Sequence, residues 1–351
     1  MTAGGSSYAA AGVDIAAGDE AVARISDLVA STARPEVIGS IGGFAGCFAL
    51  DPARYDRPVL VSSTDGVGTK ALVARDTGRF DTVGIDLVAM CVDDLVCLGA
   101  EPLFLLDYVV TGKLVPDQME ALVAGVADGC RQAGCALLGG EMAEHPGAMA
   151  PGDFDLAGFA VGVVERDANH GPDRVRAGDV LVGLLSPGLR ANGYSLARAV
   201  LLESAGVALD APAWPLSPPG WSLADELLRP SVVYAPAVVA AVAAGGVHAA
   251  AHVTGGGIPG NLSRALPSGC DAVVETGRWE RPPIFSEIQR LGRIGEDEMA
   301  RVFNLGLGLV LVVAPDAVDG ALDAAAGTGR QAAVVGRIAE GTGTVRLEPP
   351  S

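Results

Sequence analysis

"VLVSSTDGVGTKALV", residues 59–73, begins with the β-formers Val59, Leu60 and Val61, stops at Ser-Ser-Thr-Asp, and ends a glycine-punctuated turn in Thr69 and Lys70. The order is not that of a Walker A loop, G-x-x-x-x-G-K-[ST], where lysine follows the last glycine and a hydroxyl follows the lysine. Here Lys70 follows Thr69, and an acid, Asp65, precedes the turn. A carboxylate at the C-terminal end of a strand suits a metal ligand. Gly66 and Gly68 permit close backbone approach, and Lys70 can neutralise a phosphate. Taken alone, the stretch reads equally well as an ordinary turn with a surface lysine.

The neighbouring segments alternate. Residues 59–63 read as a strand, 81–100 as a helix ending at Gly99, 102–110 as a strand, 115–134 as a helix opened by Pro116 and Asp117, and 135–140 and 156–164 as strands. This alternation predicts an α/β layered domain without fixing its strand order. The polar, Gly/Pro-containing stretch 169–178 marks a domain boundary, giving domains 1–170 and 171–351. Beyond it come a strand at 179–186, a helix at 195–206, a Pro/Trp-rich surface connection at 212–221, a helical stretch near 231–244, a glycine loop at 254–260 and an apolar strand at 305–314. The tail "RLEPPS" reads as frayed.

The helix at 81–98 sharpens the reading of the turn. Asp86 and Asp93 are seven apart and share a face, with Asp94 beside them. Acids among Leu, Val, Met, Cys and Ala are costly to bury unless paired or metal-bound, and otherwise form a solvated stripe. Glu141, after another strand and two glycines, supplies a third carboxylate, a set that suits Mg²⁺. "SPGLRANGYSLARAV" (186–200) and "HVTGGGIPGNLSRAL" (252–266) each run from strand through a glycine loop into a helix, where free N–H groups favour an anion. His248 and His252, at i and i+4, offer proton transfer or a structural role, without a third metal ligand.

Composition narrows the classes. Half of the 351 residues are apolar, enough for two domains, and the net charge of −18 argues against a nucleic-acid or anionic-membrane surface. The first residues show no signal-peptide pattern, and no apolar run approaches membrane-spanning length. Six cysteines without a C-x-x-C pair read as buried thiols, which predicts a cytoplasmic protein.

Together, "YAAAGVDIAAGDEAV", "RPEVIGSIGGFAG", "STDGVGTK", "GIDLVAMCVDDLVCLGAEPLFLLDYVVTGK", "GGEMAEHPG", "NGYSL", "HVTGGGIPGNL" and "EMARVFNLGLG" resemble the phosphoribosylformylglycinamidine cyclo-ligase (AIR synthetase) family, in its order and over nearly the whole chain. The resemblance implies a homodimer of two-domain αβ subunits whose N-terminal halves build a shared sheet assembly. It implies ATP and Mg²⁺, and formylglycinamidine ribonucleotide or a close analogue as substrate. ATP would activate the formyl amide oxygen as a phosphate ester, and a nitrogen of the same substrate would close the imidazole ring. By position, the resemblance implies Asp65, Asp94 and Glu141 as metal ligands, and Gly42, Gly43, Asp65, Gly66, Gly68, Thr69, Lys70 and Glu141 around the nucleotide phosphates. Arg190, Asn192, Ser195, Gly255, Gly256, Gly257 and Asn304 would surround the substrate, with Lys70, Asp94 and His252 as catalytic groups.

Three positions depart from the family pattern: Met142 follows GGE, Arg190-Ala191 precede NGYS, and Val302 lies between Arg301 and Phe303. Arginine is no general base at neutral pH, although it binds phosphate well. The departures leave open an ordinary cyclo-ligase, a paralogue acting on a modified amidine, and a catalytically weak relative. Selenophosphate synthetases and the hydrogenase-maturation relative fit worse, each lacking its reactive cysteine here, and a thiamine-phosphate kinase is a distant alternative.

Overall fold

The strand–helix alternation is present, but the strands it yields pair mostly antiparallel. In the computed structural model, which describes residues 7–168, 170–214 and 217–349, α1 (Ile15–Ala30) is followed by the short strands β1 (Val37–Ile38) and β2 (Cys47–Phe48), then β3 (Pro58–Gly66), α2 (Lys70–Thr77) and α3 (Val83–Cys97). Next come β4 (Glu101–Thr111), α4 (Pro116–Ala133), β5 (Ala136–Glu144) and β6 (Phe154–Glu165). These form a four-stranded sheet in the order β3-β6-β4-β5, parallel only where α4 crosses over between β4 and β5. Proline at N1 and Asp117 in the first turn start α4, and left-handed Gly134 ends it.

The chain leaves this sheet at Glu165 and enters a second at β7 (Val180–Leu185). There follow α5 (Tyr194–Arg198), which continues as a π-helical turn over Ala199–Ser204, then α6 (Leu223–Leu227), α7 (Ala235–Ala244), β8 (Val247–His252), α8 (Gly257–Leu262) and β9 (Cys270–Glu275). The last elements are α9 (Pro283–Gly292), α10 (Glu296–Val302), β10 (Leu307–Val313), α11 (Val318–Gly327), β11 (Ala332–Glu340) and β12 (Val345–Glu348). The six strands run β12-β9-β11-β7-β10-β8, antiparallel except for β12 beside β9. Arg346–Glu348 are therefore paired strand, a correction to the frayed tail. Pro350 and Ser351 lie outside the described residues, as do Asn169 in the expected boundary and Pro215 and Leu216 in the 212–221 connection.

Helix α3 positions the site. It is buried nearly all round, with Leu87, Val88, Met90, Val92, Leu95 and Val96 fully enclosed. The cause is its place between layers: α4 and β3, β4 and β6 on one side, β8 and α7 of the second sheet's domain on the other. Glycine lets α3 and α4 meet closely, since a Cβ on Gly84 would stand 2.3 Å from the Val126 nitrogen. Two of the acids of α3 thus face protein on all sides: the solvated-stripe reading does not hold for Asp86 and Asp93, both 0% exposed.

The other face of the four-stranded sheet is only partly covered, by Phe48 of β2 against Phe104. Leu60, Phe159 and Tyr108 are 65%, 42% and 38% exposed there. Among the described residues, no helix is long and apolar enough to cross a membrane.

Candidate active site

Two of the glycine loops meet. The turn after β3 and the loop from Ser186 into α5 face each other at the junction of the two domains, with Thr69 Oγ1 3.1 Å from Ser195 Oγ. Lys70, by contrast, turns inward. It is wholly enclosed; its Nζ stands 2.6 Å from Asp86 Oδ2 and donates to the carbonyls of Arg190 (3.1 Å) and Arg229 (2.8 Å). Asp86 Oδ1 also accepts from the Ser231 N–H and hydroxyl, at 2.9 and 2.5 Å. Burial pushes the Lys70 amine down and the Asp86 carboxyl up, and their mutual attraction opposes both shifts. The expected phosphate contact of Lys70 is absent from this arrangement, because its charge already neutralises Asp86.

Arg190, expected at the substrate, is likewise 2% exposed. Its Nη2 lies 2.5 Å from Asp93 Oδ2 and donates to the Val232 carbonyl. Nη1 contacts His252 Nε2 at 2.6 Å and the Gly308 carbonyl at 3.2 Å. The guanidinium stacks 4.7 Å from the Tyr234 ring centroid, and the Tyr234 N–H donates to Asp93 Oδ1. Burial raises the Asp93 carboxyl, against the pull of Arg190 and His252. The two departures Met142 and Val302 also pack against the apolar core.

Asp94 is the acid left open, its side chain 43% exposed. His252 Nδ1 lies 2.9 Å from its Oδ1, and the Ser63 hydroxyl donates to its Oδ2 at 3.0 Å. Burial works to raise this carboxyl, but the His252 and Ser63 hydrogen bonds and the Arg264 charge prevail and hold it below the usual carboxylate range. A cavity of about 280 Å³ opens beside it, lined by Ser62, Ser63, Asp94, His170, His252 and Arg264 among others. Asp65 is close enough to feel Asp94: its carboxyl is raised first by burial, with the Asp94 charge adding to the shift and the Gly66 N–H opposing it.

Glu141 does not join them. Strands β3 and β5 occupy opposite edges of the sheet, three spacings or roughly 14 Å apart. Glu141 is exposed and lines a separate cavity of about 850 Å³ with Gly42, Gly43, Asp107 and Met142. Among the described residues, no three His, Cys, Asp or Glu side chains gather as a metal site. The expected three-carboxylate set is corrected: Glu141 stands apart from Asp94, and Asp65 is near enough to Asp94 to feel its charge.

The substrate-loop residues divide in the same way. Asn304, 4% exposed, donates to the Gly188 and Leu189 carbonyls and accepts from the Gly306 N–H, so it clamps backbone and has both its amide hydrogens committed. Asn192 Oδ1 has no partner among the described residues, and Ser195 is exposed. In the triplet, Gly255 meets open space, whereas Gly257, at φ 61°, would drive a Cβ to 1.9 Å from the Ala300 carbonyl oxygen. Gly256, at φ 100°, is also left-handed. Asn261 pins this loop by donating to the Thr254, Gly255 and Gly257 carbonyls. His248 stands on a strand, with Nδ1 2.8 Å from Asp179, and shares no ligand with His252.

Sequence reasoning missed Ser63, Arg264 and Asn261. Ser63 had a signal: it lies two residues before Asp65 on β3, hence on the same face. Arg264 had none, because only the return of α8 against β8 carries it to the cavity.

The paired-sheet architecture is that of a known class. It matches the crystal structure of thiamine-monophosphate kinase from Stenotrophomonas maltophilia K279a (TM-score 0.65, 22% identity, covering 92% of this chain and 95% of that one). It also matches hydrogenase maturation protein HypE in complex with ATP (TM-score 0.63, 18% identity, covering 93% and 90%). Models of the AIR synthase related protein N-terminal and C-terminal domains match residues 42–164 and 176–348. The chain belongs to the AIR synthase family. Its relatives include the phosphoribosylformylglycinamidine cyclo-ligases of Myxococcus xanthus (54% identity, covering 98% of this chain and all of the relative) and Geobacter sulfurreducens (49%, covering 97% of each).

Proposed function

We propose that the chain is an ATP-dependent cyclo-ligase that converts formylglycinamidine ribonucleotide to 5-aminoimidazole ribonucleotide, ADP and phosphate, a step of purine biosynthesis. The observation that carries this reading is the Asp94 carboxylate. It is held ionised and half open at a cavity that Ser63, His252 and Arg264 also line, in a chain that aligns end to end with cyclo-ligases. An amide oxygen is a poor leaving group until phosphorylated, and binding both ends of the substrate makes ring closure effectively unimolecular.

Asp94 fits Mg²⁺ as a hard carboxylate open to a cavity with room for the phosphate oxygens and water that this ion prefers, and Asp65 is near enough to feel its charge and would be the second ligand. Bound there, Mg²⁺ would offset charge on the transferring phosphoryl group. Gly66, Gly68 and Thr69 offer backbone groups and a hydroxyl to phosphates, and Arg264 offers a cation. Gly42, Gly43 and Glu141 line the larger cavity and would take up another part of the nucleotide. Asn192, Ser195 and Gly255 are the members of the substrate loops with free polar atoms or open space. We assign residues 1–170 to nucleotide binding and dimerisation, and 171–351 to the domain that closes the cleft.

The exposed apolar residues on that face of the four-stranded sheet support a homodimer, because such a surface favours association and the outer edges of β3 and β5 pair with no other strand among the described residues. Six free cysteines suit a reducing cytoplasm. The inward orientation of Arg190 and the packing of Met142 and Val302 favour the ordinary substrate over a modified amidine. The test is turnover by the purified protein of formylglycinamidine ribonucleotide with ATP and Mg²⁺. Equimolar ADP and aminoimidazole ribonucleotide are expected; ATP binding without product, from a folded dimer, would point instead to a modified amidine.

A further inference from the structure

We propose that Arg190 is a positioning residue that fixes the tautomer of His252, so that the imidazole orients the Asp94 carboxylate instead of exchanging protons with substrate. The inference follows from donor chemistry. Arginine has donors and no acceptor, and Arg190 Nη1 lies 2.6 Å from His252 Nε2. Nε2 must therefore be the unprotonated, accepting nitrogen; a proton there would set two N–H groups against each other. The ring proton then sits on Nδ1, 2.9 Å from Asp94 Oδ1, and is donated to it. Both ring nitrogens are thus committed, and the ring itself is enclosed. The hydrogen bond at one nitrogen sets what the other can do.

Arg190 is itself held from several directions. Its backbone adopts φ 65°, a left-handed conformation unfavourable for a side-chain-bearing residue. Lys70 pins its carbonyl from one side. Asp93, the Val232 and Gly308 carbonyls and the Tyr234 ring hold its guanidinium. Strain of this kind persists where the surroundings over-determine it. The chain of contacts runs from buried Asp93 through Arg190 and His252 to half-exposed Asp94, where Ser63 completes its support.

The spectroscopic test stands apart from the proposed function, whereas the kinetic consequence rests on it. The protein has four histidines, so its ring nitrogens can be resolved by ¹⁵N NMR of histidine-labelled dimer, with His252→Gln assigning the signals. The expected wild-type pattern is protonated Nδ1 and bare Nε2 at His252. In Arg190→Lys, which keeps a charge for Asp93 but loses the fork, and in the charge-neutral pair Arg190→Met with Asp93→Leu, protonated Nε2 should appear. In the same variants kcat should fall about ten- to a hundredfold with little change in substrate KM. Protonated Nε2 in the wild type would overturn the proposal, and that spectrum needs no variant to fold. So would a folded variant with the wild-type tautomer. Inactive wild-type protein with the expected spectrum would sink the functional reading and leave the tautomer assignment intact.

Discussion

Asp93 and Asp94 are consecutive residues of one helix and belong to different regions of the molecule. Asp93 lies in a buried seam between the domains, with Lys70, Asp86 and Arg190, where each charge faces an opposite one and none reaches solvent. Asp94 faces the cavity with Ser63 and Arg264, half exposed, and is held by hydrogen bonds from neutral donors. A rotation of about 100° along α3 separates the two. The seam spends its cations on its own anions, which joins the two domains in one relative placement. Among the described residues, the open face keeps Asp94 with no arginine or lysine bonded to it, which suits the proposed metal–nucleotide.

This contrast can be broken from either side, and the largest effect is expected in the seam. Lys70→Met leaves Asp86 buried without its counter-ion and should destabilise the fold by about 3–5 kcal/mol, whereas Lys70→Met with Asp86→Leu should recover most of that. Urea unfolding of the three proteins measures both. On the open face the opposite pattern is expected. Asp94→Asn should leave the melting temperature nearly unchanged and lower turnover by about a hundredfold or more, checked by steady-state ADP release.

Asp107 sharpens the comparison as a third kind of acid, half-buried in the wall of the larger cavity with no ion partner among the described residues. Burial pushes its carboxyl up to about 7, against only its own backbone N–H. The folded state therefore holds this proton to higher pH than the unfolded chain does. Stability from this group is lost as pH rises from the ordinary carboxylate range towards 7. Asp107→Asn should stabilise the protein by on the order of 2 kcal/mol at pH 8, with the gain vanishing near pH 4; thermal melts across that range decide it. The smallest effect on protomer stability is expected on the partly covered sheet face. Leu60→Asp with Phe159→Asp should shift the protein to monomer in sedimentation velocity while preserving its circular dichroism.

What the sequence made legible was local. The β3 strand, its turn and α3 could be read from residues 59–98, because strand period, glycine placement and helical spacing are short-range signals. The spacing of Asp86 and Asp93 showed that they share a face and need partners. It did not show what that face meets, and the partners, Lys70 and Arg190, were assigned to ligands instead. Each is distant in sequence or on another element, and only the packing of the second domain on α3 brings the charges together. Glu141 misled for the same reason. Its position after a strand resembled that of Asp65, but strand order places the two at opposite sheet edges. Antiparallel pairing was equally hidden, since alternation of strand and helix does not fix direction.

The central claim is that ATP is used to turn the formyl oxygen of the substrate into a leaving group at the Asp94 face. The most direct measurement supplies formylglycinamidine ribonucleotide carrying ¹⁸O in the formyl group, with ATP and Mg²⁺, and reads the mass of the phosphate released. The account predicts that each inorganic phosphate carries one ¹⁸O, formed in step with aminoimidazole ribonucleotide. Unlabelled phosphate accompanying ring closure would contradict it.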